Sequence, residues 1–268
     1  MPLYRQTFKT AGHLRQGLLI LDILLDDNHC LVVNKPAGLL VEHDENHPAQ
    51  KGLDSALAQA RTWIKEKYQK PGRAFLQPVH RIDQPVSGVV LFARTSKAAS
   101  RLVEAFRSRK IDKFYLVAVE GELPKERTKL NHHVRESARQ GVMEVIAKPD
   151  ANSKPCSLEL QVVTGNVALI KLGTGRKHQI RVQLAAIGCP VAGDKKYGAT
   201  SNFDSGNAIA LHAFRLRFPH PTRDELVDVV APLPANWRQL INSMPTQPTP
   251  NEVHNLATIV STSWDSLA

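Results

Sequence analysis

His80-Arg81-Ile82-Asp83-Gln84-Pro85-Val86-Ser87-Gly88, followed directly by Val89-Val90-Leu91-Phe92-Ala93-Arg94, is the stretch from which the fold can be read. Gly88 to Arg94 is an unbroken apolar run ended by a charge, the pattern of a strand buried on both faces. The polar approach ahead of it delivers a carboxylate, Asp83, on a loop that enters this strand. A loop held by a rigid sheet can aim one side chain into a cleft. Asp83 two residues before Pro85 also fits a plain turn-forming residue, and the local sequence leaves both readings open.

Reading outward, Thr95-Ser96 supplies an N-cap and Lys97 to Arg109 a helix, with Leu102, Ala105 and Phe106 on its inner stripe. Arg94, Lys97, Arg101, Arg107, Arg109, Lys110 and Lys113 make this the most basic part of the chain, either a solvated face or a surface for a polyanion. Upstream, Ile20 to Pro36 reads as two short strands around Asp26-Asp27-Asn28. Asp54 to Tyr68 reads as a helix with Leu57, Ala60 and Ile64 inward and Asp54 as its N-cap. Downstream, Phe114 to Glu120, Met143 to Lys148, Ser157 to Thr164, Val167 to Leu172, Ala208 to Phe218 and Leu226 to Val230 read as strands, with a hairpin turn at Gly165-Asn166. Lys177 to Ile187 reads as a helix ended by Gly188, and Asn236 to Ile241 as a short helix. Many strands and few helices indicate an α+β fold with a mixed, largely antiparallel sheet and flanking helices.

The chain has 268 residues, with 35 Lys and Arg against 25 Asp and Glu and a pI near 9.6. That balance suits a polyanionic partner. Beyond Arg238 there is no Lys or Arg and the only acids are Glu252 and Asp265, so the basic excess sits in the body. A hydrophobic share of 42% excludes a disordered chain. Cys30, Cys156 and Cys189 are odd in number and widely spaced, which suits a reducing, cytoplasmic setting and core packing. No apolar run is long enough to span a bilayer, and Asp22 interrupts the N-terminal Leu18–Leu21 stretch. Residues 1–19 read as a basic N-terminal extension, with some likeness to a transit peptide. Residues 20–243 read as one catalytic domain and 244–268 as a flexible tail with three prolines.

Two further segments carry candidate chemistry. In Gly173-Thr174-Gly175-Arg176-Lys177-His178-Gln179-Ile180-Arg181-Val182-Gln183, basic residues sit where a helix begins. They oppose the helix dipole there, a cost that an anionic ligand would offset. Asp112-Lys113-Phe114-Tyr115 opens a strand, where a Tyr is ordinarily a core residue. His132-His133 with Glu136 matches no zinc spacing, so no metal is expected. No G-x-S-x-G elbow is present, which argues against a hydrolase of that kind.

Taken in order, HRIDQPVSG, KFY and GRKHQIR, with Val33-Asn34-Lys35-Pro36-Ala37-Gly38 ahead and Gly193-Asp194-Lys195-Lys196-Tyr197-Gly198 behind, resemble the RluA-type family of pseudouridine synthases. The resemblance covers roughly Ile20 to Pro234. Ile82, Val86 and Gln183 are mild departures from that family's usual residues. It implies the pseudouridine synthase fold and isomerisation of a uridine in tRNA or ribosomal RNA. Asp83 would be the catalytic carboxylate, with Tyr115 and Arg181 as catalytic partners. It implies RNA contacts by Arg81, with Lys35, Lys113, Arg176, Lys177 and His178 as phosphate contacts or structure. It further implies an Arg181–Asp83 ion pair, extrusion of the target base, no cofactor, and a monomeric enzyme without the S4-type RNA-binding module of many relatives. A silent RNA-binding protein or RNA chaperone on the same fold is the competing reading; an intact Asp83, Tyr115 and Arg181 argue against it.

RNA affinity is expected to fall steeply with salt, because phosphate contacts release counterions. Neutralising Arg101, Arg107 and Lys110 together should flatten the slope of log affinity against log salt by about two to three. An unchanged slope in a filter-binding titration would make that helix a solvated face only.

Overall fold

The computed structural model describes residues 3–5, 21–43, 54–69, 72 and 74–237. The expected tail over 244–268, and most of the extension over 1–19, lie outside them. In chain order the elements are β1 (Leu3–Arg5), β2 (Asp22–Asp26), β3 (Cys30–Lys35), α1 (Ala56–Tyr68), β4 (Gln77–Pro78), β5 (Ser87–Ala93), α2 (Ser96–Arg107) and β6 (Asp112–Ala118). They continue with β7 (Thr128–Glu136), β8 (Met143–Ile146), β9 (Lys154–Thr164), β10 (Val167–Leu172), α3 (Gln179–Ala186), β11 (Leu211–Pro219) and β12 (Leu226–Val230). The chain divides into two compact units, residues 1–113 with 207–232, and residues 114–206 with 233–268.

In the first unit β5 is central. It pairs antiparallel with β3, which pairs antiparallel with β2, and its far end takes the short β4. On its other side β5 runs parallel to β11, and β12 continues antiparallel to β11 with β1 parallel at the edge. Every residue of β5 is buried, as its unbroken apolar run predicts. Val89 and Leu91 of β5, Val32 of β3 and Leu216 and Phe218 of β11 form one core with Ala98, Leu102 and Ala105 of α2. Thr95 caps α2 as expected, its Oγ1 accepting from the Ala98 N–H at 3.1 Å. The helix ends two residues before the expected Arg109. Arg109 turns into the left-handed region (φ 57°), and Lys110 N–H reaches Ala105 O at 2.9 Å, closing a Schellman-type end.

The N-cap of α1 is Ser55 rather than Asp54. Ser55 Oγ accepts from the Ala58 N–H at 3.2 Å, while the Asp54 carboxylate takes the Ser55 N–H and the Gln59 side chain. Leu57, Ala60 and Ile64 are buried as expected.

An Asp27 clasp joins the β2–β3 turn to the β11–β12 turn. Asp27 Oδ1 accepts from the His29 and Cys30 N–H groups at 2.7 Å, and Oδ2 accepts from His220 Nε2 at 2.9 Å and Arg223 Nη2 at 2.8 Å. Burial pushes the Asp27 carboxyl up, but the backbone donors and His220 outweigh it and hold it below the usual carboxylate range. Cys30 lies beside this pair, its thiol pushed far up by burial. Asp27 is saturated by donors, and His220 Nδ1 already accepts from Thr222 and Arg223 N–H. The cluster is a hydrogen-bonded staple.

The second unit carries the antiparallel order β6-β10-β9-β7-β8. β7 was not anticipated from the sequence. Its inward positions are Leu130, His132 and Val134, so a half-buried histidine breaks the apolar alternation. The same alternation puts His132 and His133 on opposite faces, which separates the two histidines of the rejected metal pattern. α3 lays Val182 on Val134, Met143 and Cys156. The helix is shorter than expected at its start, because His178 adopts the left-handed region (φ 54°) and leaves Arg176 and Lys177 in the preceding turn. Gly188 ends it as expected, in a Schellman motif with Cys189 N–H on Leu184 O at 3.0 Å. Of the expected helix over Asn236–Ile241, only Asn236 and Trp237 lie within the described residues, and both are helical.

Gly88 sits at φ 118°, and a Cβ there would lie 2.2 Å from Ala213 O. Gly88→Ala is therefore expected to cost about 3 kcal/mol or more, combining backbone strain with a clash that parts β5 from β11. Urea unfolding reads this directly; a loss under roughly 1 kcal/mol would contradict the close approach.

Candidate active site

Asp83 is half-buried on the loop between β4 and β5. Ile82 beside it is buried and anchors the loop. The Val86 N–H donates to Asp83 O at 3.0 Å, so Asp83 opens a turn through its backbone. The turn-forming reading of Asp83 is thus seen in the structure. On one flank, His80 Nε2 accepts from the Leu91 N–H at 3.0 Å and its ring stacks on Phe106 at 5.0 Å. Burial, with the charge of Lys113 adding to it, pushes the His80 imidazole down to about 3, so it is a neutral acceptor at physiological pH. On the other flank, Ser87 Oγ pairs with His212 Nδ1 at 2.8 Å, and Ile209 N–H donates to Pro85 O at 3.2 Å. Burial holds His212 down to about 4, neutral as well.

The expectation that Lys35 meets a phosphate is corrected. Lys35 has no exposed surface, and its Nζ donates to Pro36 O at 2.8 Å, Leu39 O at 2.6 Å and Gln84 O at 3.3 Å. An ammonium so enclosed has no donor left for a ligand. Arg81 is the converse: its side chain is 73% exposed, at 3.6 Å from Glu42. Such a surface pair is worth little and is readily exchanged. Lys113 is half-buried, and burial followed by the nearby Arg109 charge lowers it to about 8, leaving it largely protonated at neutral pH.

In the second unit Tyr115 lies on β6 opposite Ile170, with 9% of its surface exposed. Arg181 projects from α3, 4% exposed, and grips Asp194 with both arms of its fork: Nε to Oδ2 at 2.6 Å and Nη2 to Oδ1 at 2.9 Å. The Tyr197 ring lies 5.0 Å from the guanidinium. Its hydroxyl accepts from the Met143 N–H at 2.9 Å and shares a hydrogen bond with His178 Nδ1 at 2.8 Å. GRKHQIR and GDKKYG are thereby one construction, in which Asp194 and Tyr197 orient the arginine that the earlier motif supplies. Asp194 was missed as a site residue although its motif was noticed, because nothing local says that its carboxylate turns inward.

The turn ahead of α3 is organised by Gln179, which was also missed. Its Oε1 accepts from Thr174 Oγ1 at 2.7 Å and from the Arg176 N–H at 3.0 Å, while its Nε2 donates to Ser157 O at 3.0 Å and to Gln183 Oε1 at 2.9 Å. Gln183 donates on to Leu130 O and His132 Nδ1. Arg176 is half-buried with Nε on Pro155 O, and Lys177 is exposed on Glu136 at 2.9 Å. Asp83, Arg81, Lys35 and Lys113 thus belong to the first unit, and Tyr115, Arg176, Lys177, His178 and Arg181 to the second.

With this geometry in hand, comparison with known proteins defines the class. Residues 29–186 match the RNA pseudouridylate synthase family model, and the chain belongs to that family. Its fold is the pseudouridine synthase fold and its activity class is isomerisation of uridine in RNA. An uncharacterised RNA pseudouridine synthase of Bacillus subtilis (strain 168) is 33% identical over 229 residues, 82% of this chain and 71% of that protein. The dual-specificity RNA pseudouridine synthase RluA of Pasteurella multocida (strain Pm70) is 33% identical over 79% of this chain and 93% of its own. Human RNA pseudouridylate synthase domain containing 4 superposes with a TM-score of 0.67 at 22% identity, over 84% of this chain and 94% of the other, a likeness of fold. No described helix is long and apolar enough to cross a membrane.

The Arg181–Asp194 pair is buried, so removing one partner strands a charge. Asp194→Asn is expected to lower stability by about 3 kcal/mol and to reduce activity with it. Equilibrium urea unfolding tests the pair; a change below about 0.5 kcal/mol would show that Asp194 does not hold Arg181.

Proposed function

We propose that this chain converts a uridine in tRNA or ribosomal RNA to pseudouridine, with Asp83 as the catalytic carboxylate and Tyr115 and Arg181 as its catalytic partners. Residues 20–243 act as the catalytic domain, and the chain works as a monomer. The observation that carries this reading is the match of the family over residues 29–186, inside which Asp83 stands half-buried on a loop braced on both flanks.

The chemistry suits these residues. Breaking the base–ribose bond and re-forming it through carbon yields an isomer, so no redox or energy cofactor enters the balance. Asp83 supplies the carboxylate that adds to, or deprotonates, the ribose–base unit. Arg181 supplies fixed positive charge, oriented in advance by Asp194, so little reorganisation accompanies the reaction. Tyr115 offers its ring to the target base. A base stacked inside paired RNA cannot present its glycosidic bond, so it must be extruded, at a few kcal/mol. The exposed Arg81 is suited to fill the vacated place in the stack, beside the residue that reacts. Arg176, Lys177 and His178 lie outside the α3 body in a turn where backbone and side chains can reach phosphate. Lys113, lowered to about 8, keeps its charge at neutral pH and loses it as pH rises past that value.

Asp83→Asn and Asp83→Ala are expected to stop pseudouridine formation while leaving RNA affinity within about tenfold of wild type, because phosphate contacts supply affinity apart from the reacting group. Product formation and binding are measured on the same unmodified transcripts. Robust turnover by either variant would sink the assignment. Mapping pseudouridine in total RNA with and without the gene separates tRNA from ribosomal RNA as the substrate.

A further inference from the structure

Phe75 has 49% of its surface in solvent, the largest share of any large apolar side chain among the described residues, and the reading above gives it no task. It lines a cleft of about 470 Å3 together with Glu42, Leu57, Arg61, Leu76 and Gln77. That volume falls in the range of about 300–1,000 Å3 in which small-molecule sites occur. The walls are fixed to one another. At the start of α1 the Ala56 and Leu57 N–H groups donate to Leu40 O at 2.8 Å and Val41 O at 2.9 Å, just ahead of Glu42. Further along α1, Arg61 Nη2 donates to Leu76 O at 3.0 Å. Gln77 and Pro78, as β4, pair with Ala93 and Phe92 of β5. The cleft is therefore built before a ligand arrives, and its whole lining lies in the first unit with Arg81 and Asp83.

An exposed ring beside a formed cleft suits a flat ligand that stacks on it. Glu42 sets the polar edge of that ligand. A carboxylate repels phosphate and accepts from N–H groups, so it selects a base edge over the RNA backbone. Glu42 is also the 3.6 Å partner of Arg81. When Arg81 enters the RNA stack, Glu42 loses its cation, and a base amino group beside it takes the cation's place. Stacking on an aromatic ring with hydrogen bonds to the base edge is how unpaired RNA bases are generally read. Arg61 adds positive charge on the α1 wall, which suits the anionic chain that carries the base.

Resting on the proposed roles of Arg81 and Asp83, we infer that this cleft is a second nucleobase site. It takes an unpaired base neighbouring the target uridine, stacked on Phe75, with its exocyclic amino group donating to Glu42. The site takes no part in the chemical step; it selects which RNA loop presents its uridine to Asp83.

The test uses the full chain and whichever in vitro transcribed RNA, tRNA or large-subunit ribosomal RNA, it converts. Phe75→Ala is expected to weaken RNA affinity by about tenfold or more, the effect of one lost base–aromatic stack, while thermal unfolding stays at the wild-type value. The slope of log affinity against log salt should not change, because a stack releases no counterions. Phe75→Trp should bind as wild type. Phe75→Leu keeps an apolar side chain without the ring; it serves if the Ala variant does not fold, and the same loss is expected. Abasic nucleotides are then placed one at a time at the unpaired positions around the modified uridine. At one position the abasic RNA should lose about tenfold in affinity for the wild-type chain and nothing further for Phe75→Ala. A base there without its amino group should bind the wild-type chain more weakly, and Glu42→Ala no more weakly than the intact base does. Folded Ala and Leu variants with wild-type affinity, a changed salt slope, no position coupled to Phe75, or no amino group coupled to Glu42 overturns the inference while the role of Asp83 stands. A wild-type chain that makes no pseudouridine on either RNA, or an Asp83→Ala variant that does, overturns the underlying reading and this inference with it.

Discussion

The close parallel approach of β5 and β11 at Gly88 is the constraint on which the first unit depends. With no side chain at Gly88, the backbone of Ala213 comes within the space a Cβ would fill. That contact sets Ser87 against His212 and fixes the chain direction by which residues 80–86 enter the sheet. The Asp83 loop is braced because the strand after it cannot shift. A rigid scaffold of this kind can hold a reactive carboxylate in one orientation, which is where much of the rate of a positioned reaction originates.

Charge is handled differently in the two units. The second unit buries Arg181 against Asp194 in a two-armed pair and lays an aromatic ring beside it. The first buries Lys35 against carbonyl oxygens, with Asp83 as the nearby opposite charge. Pairing a buried ion repays its desolvation only when the geometry is good, and the Arg181 fork meets that condition. The neutral histidines His80 and His212 brace backbone and hydroxyl groups without adding charge.

Several local expectations held because their causes are local. Thr95 capped α2, Gly188 ended α3, and the apolar run of β5 was buried throughout. Others failed for definable reasons. Asp54 and Ser55 are both good caps; Ser55 is the one that meets the helix, and it is also bridged to Leu40, 15 residues earlier in the chain. β7 was hidden because His132 occupies an inward position, where its Nδ1 meets the side chain of Gln183, 51 residues away. Basic residues seemed to open α3 against its dipole, but His178 turns left-handed and leaves Arg176 and Lys177 ahead of the helix.

From the sequence alone came the α+β class, most of the strands, the family resemblance and the identity of the candidate carboxylate, Asp83. Those properties are carried by short-range patterns: apolar periodicity, caps, turns and motif order. The sequence could not say which charged groups turn inward or whom they meet. Lys35, read as a phosphate contact or structure, is enclosed by three carbonyls; Asp194, noticed only as part of GDKKYG, pairs with Arg181. Burial of a charge is a property of everything packed around it, so tertiary structure alone decides it, because the cost of desolvation and the partner that offsets it both come from residues distant in sequence.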